Sequence, residues 1–173
     1  MRWRDQHATN TRYGVIPRTL SFLTHDRNLL LVRRGAEKRP WPGKLNGLGG
    51  HVEAREDILS SAHRETREEV GREANDLSLR GIVHVCGTSN SGVILFVFVG
   101  NLPSADLGTG AEGELEWYPL DRLPWSEMVP DLPMLLPRLL SRSEGEEPLY
   151  AHYTPSSSGE MIFCFHETEA TKR

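Results

Sequence analysis

The apolar positions of this chain fall mostly into short runs broken by turn residues, with one stretch that follows a helical period instead. In "YGVIPRTLSFLTHDRNLLLVRR", Leu20 and Phe22 alternate with polar neighbours, and Leu29 to Val32 form a continuous apolar run. Two strands joined by a turn at "HDRN" account for both patterns. "GAEKRPWPGKLNGLGG" is too rich in Gly and Pro for either regular element and reads as loop. From about Asp57 to Val70 the spacing becomes three and four, so Leu59, Ala62, Thr66 and Val70 share one face of a helix and form its buried stripe. "LSLRGIVHVCG" and "GVILFVFVGNL" then read as strands, the second being the most apolar run in the chain. "PSADLGTGAEG" reads as a mobile loop and "ELEWYPL" as a short strand. "DLPMLLPRLLSR" has the pattern of an amphipathic helix, with Asp131 as N-cap and Pro133 in the permissive first turn. Pro137 falls further in, where it costs stability or kinks the helix. The last apolar segment, "PLYAHYTPSSSGEMIFCFHE", reads as a hairpin around "PSSSG". Strands on both sides of a central helix, with a second helix late, predict a mixed α/β domain.

The length of 173 residues suits a single domain with a real core, here residues 13–168 behind a polar tail at residues 1–12. That N-terminal stretch, "MRWRDQHATNTR", lacks the apolar core of a signal peptide, and no run is long enough to span a membrane. The net charge of −4 gives no general attraction to polymeric nucleic acid or to an anionic membrane. An anionic ligand would need local cations or a few well-placed basic side chains. Cys86 and Cys164 each lie inside an apolar run and form no CxxC pair, so they read as buried thiols of a cytoplasmic protein rather than a zinc site or a disulfide.

The helix carries an anomaly. Glu65, Glu68 and Glu69 lie within roughly 100° of its circumference, with no lysine among them. Like charges at these spacings repel. One reading is a solvated face held by Arg64, Arg67 and Arg72. The other is a site for a hard cation, Mg²⁺ or Mn²⁺, with Glu53 and Glu56 standing just before the helix. Such a cation bridges phosphate oxygens and activates water.

The spacing decides between them. Gly50, five residues, Glu56, seven residues, then Arg64-Glu65-x-x-Glu68-Glu69-x-Gly71 resembles the signature of the Nudix hydrolases, which here runs from Gly50 to Arg72. Thr66 and Arg72 depart from it, since aliphatic residues are usual at both positions. The resemblance implies an α/β/α sandwich with a mixed sheet, the signature forming a loop–helix–loop. It implies metal-dependent hydrolysis of a nucleoside diphosphate linked to another group. Glu65, Glu68 and Glu69 would be the metal ligands, and Gly50 would lend its backbone carbonyl. Arg64 would hold a glutamate by salt bridging, Glu56 would support the loop, and Gly71 would end the helix.

Beyond the signature, the chain resembles the MutT-like diphosphatases that clear oxidised purine nucleoside triphosphates, from about Val15 to His166. In "KLNGLGGHVE" the base-reading asparagine would be Asn46. In "LEWYPLDRLPWSEMVPDLP" the base-reading aspartate would be Asp131. The bland alternatives are a turn residue and a helix cap. The animal enzymes have a tryptophan two residues before that aspartate and a second acid just after it, where this chain has Val129 and Leu132. Trp41, Trp117 or Trp125 could stack on a base instead. Glu112 fits the general base, with Glu114 as the alternative. Arg33, Arg34 and Lys38 are candidates for phosphate contacts. His51 reads as a surface residue, and His84 and His166 as partners of the fold. The substrate class implied is a nucleoside triphosphate such as 8-oxo-dGTP, cleaved to the monophosphate and pyrophosphate with Mg²⁺ or Mn²⁺ by a monomer or homodimer. The alternatives are ADP-ribose, dinucleotides or ordinary dNTPs, or a binding module without chemistry.

Overall fold

A computed structural model describes residues 12–37, 39–87, 90–108, 113–143 and 145–166. Eight strands form one mixed sheet: β1 (Gly14–His25), β2 (Asn28–Arg33), β3 (Leu45–Asn46), β4 (Asn75–Cys86), β5 (Ser91–Asn101), β6 (Glu114–Pro119), β7 (Leu149–Pro155) and β8 (Met161–His166). Two α-helices accompany them, α1 (Ile58–Val70) and α2 (Leu132–Leu140). The strand order is β3-β2-β1-β5-β4-β7-β8, with β6 along the other edge of β2. β1 runs parallel to β5 and β4 parallel to β7; the remaining pairs are antiparallel.

Alternation along β1 sends residues to two different layers. Leu20 and Phe22 join the larger core under α2, with Leu135, Leu136 and Leu139. Leu23, paired to Leu30, joins Leu48 and Val70 under α1. The sheet is thus packed between α1 and α2, the α/β/α sandwich expected from the sequence. No helix among the described residues is long and apolar enough to cross a membrane.

Two local expectations are corrected. Leu59 is 42% exposed, and the buried stripe of α1 is Ser61, Ala62, Thr66 and Val70. Leu59 sits in the first turn, while the small Ser61 takes the buried place and donates its hydroxyl to the His51 carbonyl at 3.3 Å. The thiols are not both buried: Cys86 is half-buried and Cys164 exposed. Ile162, Cys164 and His166 are the exposed positions of β8, alternating with half-buried residues along the last strand of the sheet.

Candidate active site

The segment expected to be featureless loop is tied residue by residue to β1. Leu48 exchanges backbone bonds with Ser21 at 2.7 and 3.0 Å, Thr19 donates to the Gly50 carbonyl at 3.0 Å, and Val52 donates to Pro17 at 3.2 Å. This close approach explains both glycines. Gly49 has φ 139°, and a Cβ there would lie 2.2 Å from the Thr19 carbonyl oxygen. A Cβ on Gly50 would lie 2.3 Å from Oε1 of Glu65. The carboxylate of Glu65 therefore rests directly on the Gly50 backbone.

The helix that carries the glutamates is fixed at both ends. Asp57 caps it, accepting from the backbone N–H of Leu59 at 2.9 Å and of Ser60 at 3.0 Å. Gly71 ends it at φ 72°, donating to the Arg67 carbonyl at 2.9 Å, as expected of a left-handed C-cap. Thr66 is fully buried in its aliphatic-preferring position, and Arg72 leaves the helix end to donate to the Asp106 carbonyl at 2.8 Å. Neither departure disturbs the helix.

Arg64 is the hub of the site. It forks onto Glu56 through Nε at 3.0 Å and Nη2 at 2.7 Å, and Nη2 also reaches the His51 carbonyl at 3.0 Å. Its Nη1 donates to Glu65 at 2.8 Å and to Glu68 at 3.1 Å. The forked bond from Arg64, with the Glu53 backbone N–H, holds the Glu56 carboxyl down to about 2. Glu69 is placed separately, accepting from the Gly49 N–H at 3.0 Å. Arg67 pairs with Glu73 and Arg72 with Asp106, while Arg64 serves Glu56, Glu65 and Glu68.

The donor chemistry fits a hard divalent cation: three carboxylates and the Gly50 carbonyl, all oxygen. One positive nitrogen already lies within 3.1 Å of oxygens from both Glu65 and Glu68, so these two carboxylates can share a single cationic centre. Among the described residues no three acidic, histidine or cysteine groups converge closely enough to hold an ion together as they stand. Glu68 is 58% exposed and its hydrogen bond among the described residues is from Arg64, so its side chain has room to turn.

A second group of residues forms across β1 from the helix. Leu45 bridges to Met128, and Val129 donates to the Leu45 carbonyl at 3.0 Å, which sets the Asn46 strand beside the segment entering α2. The Asn46 side chain accepts from the Gly47 N–H at 2.9 Å, a turn-forming bond. Asp131 stands at the N-terminus of α2 but caps nothing: its backbone is helical and its side chain makes no cap bond. Burial raises its carboxyl above the usual range. Val129 and Leu132 belong to the core.

The other candidates are distributed differently. Arg33 bonds Glu116 at 2.6 Å, Tyr118 at 3.1 Å, Glu127 at 3.0 Å and the Gly43 carbonyl at 3.2 Å, and these acceptors raise its pKa. Its donors are committed within the fold. Arg34, by contrast, has a buried Nε without a partner among the described residues, and burial and nearby Arg18 lower its pKa. Arg33 and Arg34 line a hollow of about 570 Å³ together with Gly43 and Glu114. Glu114 opens β6, opposite Arg33. Glu112 and Lys38 lie outside the described residues. Trp117 donates to the Ala105 carbonyl at 3.0 Å and packs beside the smaller core, whereas Trp41 and Trp125 are each 40% exposed. His51 is exposed, His84 meets the Tyr13 hydroxyl at 2.8 Å, and His166 is exposed on β8.

Sequence reasoning passed over Gly49, Arg18 and Tyr153. The inward alternation of Leu149, Ala151 and Tyr153 along β7 was the available signal for the last of these.

Comparison with known proteins agrees with this geometry. Residues 16–139 match the NUDIX domain model. The oxidized purine nucleoside triphosphate hydrolase of Mus musculus is 30% identical over 139 residues, spanning 73% of this chain and 80% of that protein. The Danio rerio protein of the same name is 31% identical over 137 residues, spanning 72% and 79%. In structure, the chain is similar to a MutT protein from Bacillus halodurans, with a TM-score of 0.72 at 23% identity over 87% of this chain and 97% of that one. It is also similar to the NUDIX domain of Shewanella oneidensis NrtR, crystallised with ADP ribose, with a TM-score of 0.61 at 15% identity over 79% and 93%. A signature helix held at both ends, its glutamates gathered around Arg64 and Gly50, and a matching domain model over most of the chain together make this protein a member of the Nudix family, a hydrolase of nucleotide pyrophosphate bonds.

Proposed function

We propose that the chain hydrolyses oxidised purine deoxynucleoside triphosphates such as 8-oxo-dGTP to the monophosphate and pyrophosphate. The observation that carries this reading is Asp131: a half-buried carboxyl at a helix N-terminus that caps no helix, beside the strand bearing Asn46. A helix-capping aspartate would bond the N–H groups of its first turn, as Asp57 does in α1. Asp131 is kept for something else, and a purine edge offers the donors and acceptors it lacks. The names of the mouse and zebrafish relatives support the same substrate class.

The division of labour follows from placement. The base would sit between the strand bearing Asn46 and the N-terminus of α2, against Asn46 and Asp131. The phosphates would pass the Gly49–Gly50 edge toward α1. Glu65, Glu68, Glu69 and the Gly50 carbonyl would hold Mg²⁺, or Mn²⁺ in its place, which when bound supplies the charge that neutralises the phosphates and acidifies an attacking water. Arg64 holds Glu65 and Glu68 in place through Nη1. Arg34, not Arg33, has donor capacity left for an anion, with Arg18 beside it. The proton of the attacking water would go to Glu112, as the resemblance implies, or to Glu114.

The test is a steady-state comparison of kcat/KM for 8-oxo-dGTP, dGTP and ADP-ribose with Mg²⁺, with products identified. A preference of about tenfold or more for 8-oxo-dGTP, yielding monophosphate and pyrophosphate, is the expected result. A flat profile or a preference for ADP-ribose overturns the oxidised-purine assignment and leaves the Nudix chemistry in place.

A further inference from the structure

The α2 side of the sheet has a graded floor. Ile16, Val93, Val85, Tyr153 and Phe163 pair in one row across β1, β5, β4, β7 and β8, and residues directly opposite in a pair point to the same face. At one end of the row Ile16 is 51% exposed, whereas Tyr153, three strands away, is 3% exposed. The face is therefore open at β1 and closed at β7. α2 covers that closed end, with the Arg138 guanidinium 4.5 Å from the Phe165 ring of β8, and Asp131 is the first residue before α2.

Tyr153 is anomalous there. Phe163 and Phe165 pack edge-on against its ring at 4.7 and 6.1 Å, which fixes the side chain. Its hydroxyl is buried and has no hydrogen-bond partner among the described residues. A buried hydroxyl is seldom left without an acceptor, because the loss of water is then uncompensated. The neighbouring acceptor is the carboxyl of Asp131, whose chain neighbours Val129 and Leu132 share one core cluster with Tyr153; the two groups also perturb each other's ionisation. Asp131 in turn has no cap bond to hold it, and Leu132 beside it is fully buried in the core, so no second acid stands there to share the role.

Resting on the base-reading role given to Asp131 above, we propose that Tyr153 is its positioning residue: the buried hydroxyl donates to one carboxyl oxygen of Asp131 from behind and turns the other toward the purine. The ring anchors the hydroxyl, the hydroxyl anchors the carboxyl, and the carboxyl meets the base. Tyr153 itself does not touch substrate, since water does not reach its oxygen. A freely rotating carboxylate would lose orientation on binding; one tethered from behind is arranged beforehand.

The experiment compares Tyr153→Phe, Asp131→Asn and the double variant, measuring kcat and KM for 8-oxo-dGTP and the Kd of 8-oxo-dGMP. Tyr153→Phe removes only the oxygen and leaves the packing with Phe163 and Phe165. The expected result is a roughly tenfold loss of affinity for 8-oxo-dGMP and a matching rise in KM, with kcat within about twofold. In the double variant the loss should equal that of Asp131→Asn alone, because the hydroxyl acts only through the carboxyl. If Asp131→Asn weakens binding and Tyr153→Phe does not, or if the two losses add, the role of Tyr153 is overturned and base reading by Asp131 stands. If Asp131→Asn itself leaves 8-oxo-dGMP affinity unchanged, the base-reading assignment fails and this proposal with it.

Discussion

Glu65 occupies the space where Gly50 would carry a side chain: a Cβ on Gly50 would lie 2.3 Å from its Oε1 and 2.5 Å from its Oε2. The glycine is required for the position of a carboxylate, not for a turn, since Gly50 has no positive φ. Gly50→Ala should therefore displace Glu65 rather than unfold the protein. Glu65 would be pushed away from the bond it accepts from Arg64 at 2.8 Å. We expect kcat to fall on the order of 10- to 100-fold, with the concentration of Mg²⁺ needed for half-maximal activity rising and Tm moving by only a few degrees. Activity measured across a metal titration, beside a thermal melt, separates this from simple destabilisation.

Gly49 makes the opposite prediction. Its φ of 139° and the 2.2 Å approach to the Thr19 carbonyl oxygen are backbone constraints, with no flexible side chain to yield. Gly49→Ala should break the run of bonds between the loop and β1 and destabilise the fold by roughly 2–4 kcal/mol. Denaturant unfolding of the two alanine variants side by side checks the contrast: a large change for Gly49 and a small one for Gly50.

Arg64 links stability to pH through Glu56. The guanidinium holds that carboxyl down to about 2, against an ordinary value of 4.5. A depressed acid contributes stability that is complete above its ordinary pKa and lost as the pH falls through the folded value. The wild-type protein should therefore lose this contribution between about pH 4.5 and 2. Arg64→Gln removes the cause, so its stability should fall less steeply across that window while starting lower at neutral pH. Unfolding free energies measured by denaturant at several pH values would show it; parallel curves for the two proteins would refute the linkage.

The parts of this architecture that were legible in the sequence are those with a local cause. The 3,4 spacing from Ala62 to Val70 marked α1, and the alternation in "LSFLTHDRNLLLV" marked β1, β2 and their turn. The signature residues were legible because their spacing is chemically constrained. What was not legible depends on contacts between distant segments. The strand Leu45–Asn46 exists only because Val32 and Arg33 lie opposite it, and nothing local distinguishes it from loop. Leu59 looked buried because the period is blind to where the helix meets the sheet. Cys164 looked buried because an apolar strand reads the same whether or not a helix covers it. Arg33 and Arg34 are adjacent in sequence and indistinguishable there. Only the fold, by setting Glu116 and Glu127 against the first, shows which of them has donors left.

That difference is testable. Arg33 is 28% exposed at its side chain and spans Glu116, Glu127, Tyr118 and a backbone carbonyl. Arg33→Ala should leave Glu116 partly buried without its cation and cost about 1–3 kcal/mol of stability, with KM for a nucleoside triphosphate within about twofold. Arg34→Ala should do the reverse, because it gives up a 3.3 Å bond from Nη2 to the Arg39 carbonyl and no partner of Nε. A rise in KM confined to Arg33→Ala would move the phosphate contact back to that residue.

The glutamates themselves divide by exposure. Glu68 is 58% exposed and Glu65 only 15% exposed, wedged between Arg64 and the Gly50 backbone. Both are proposed as ligands of the cation, but Glu65 is also packed into the fold. Glu68→Gln keeps the shape and removes the charge of a side chain whose contact here is the 3.1 Å bond from Arg64. It should lower kcat on the order of 100- to 1000-fold with Tm nearly unchanged. Glu65→Gln should lower kcat at least as far and also reduce Tm, since a neutral amide offers Arg64 a carbonyl oxygen in place of a charged carboxylate. Chelation of divalent ions from the wild-type protein should abolish turnover and leave this difference in Tm intact, because Arg64 bonds Glu65 directly at 2.8 Å. Full activity in Glu68→Gln would sink the metal assignment and return the cluster to a solvated helix face organised by Arg64. Equal Tm for the two variants would instead show that the ion pair between Arg64 and Glu65 carries no stability, leaving the role of Glu65 to catalysis alone.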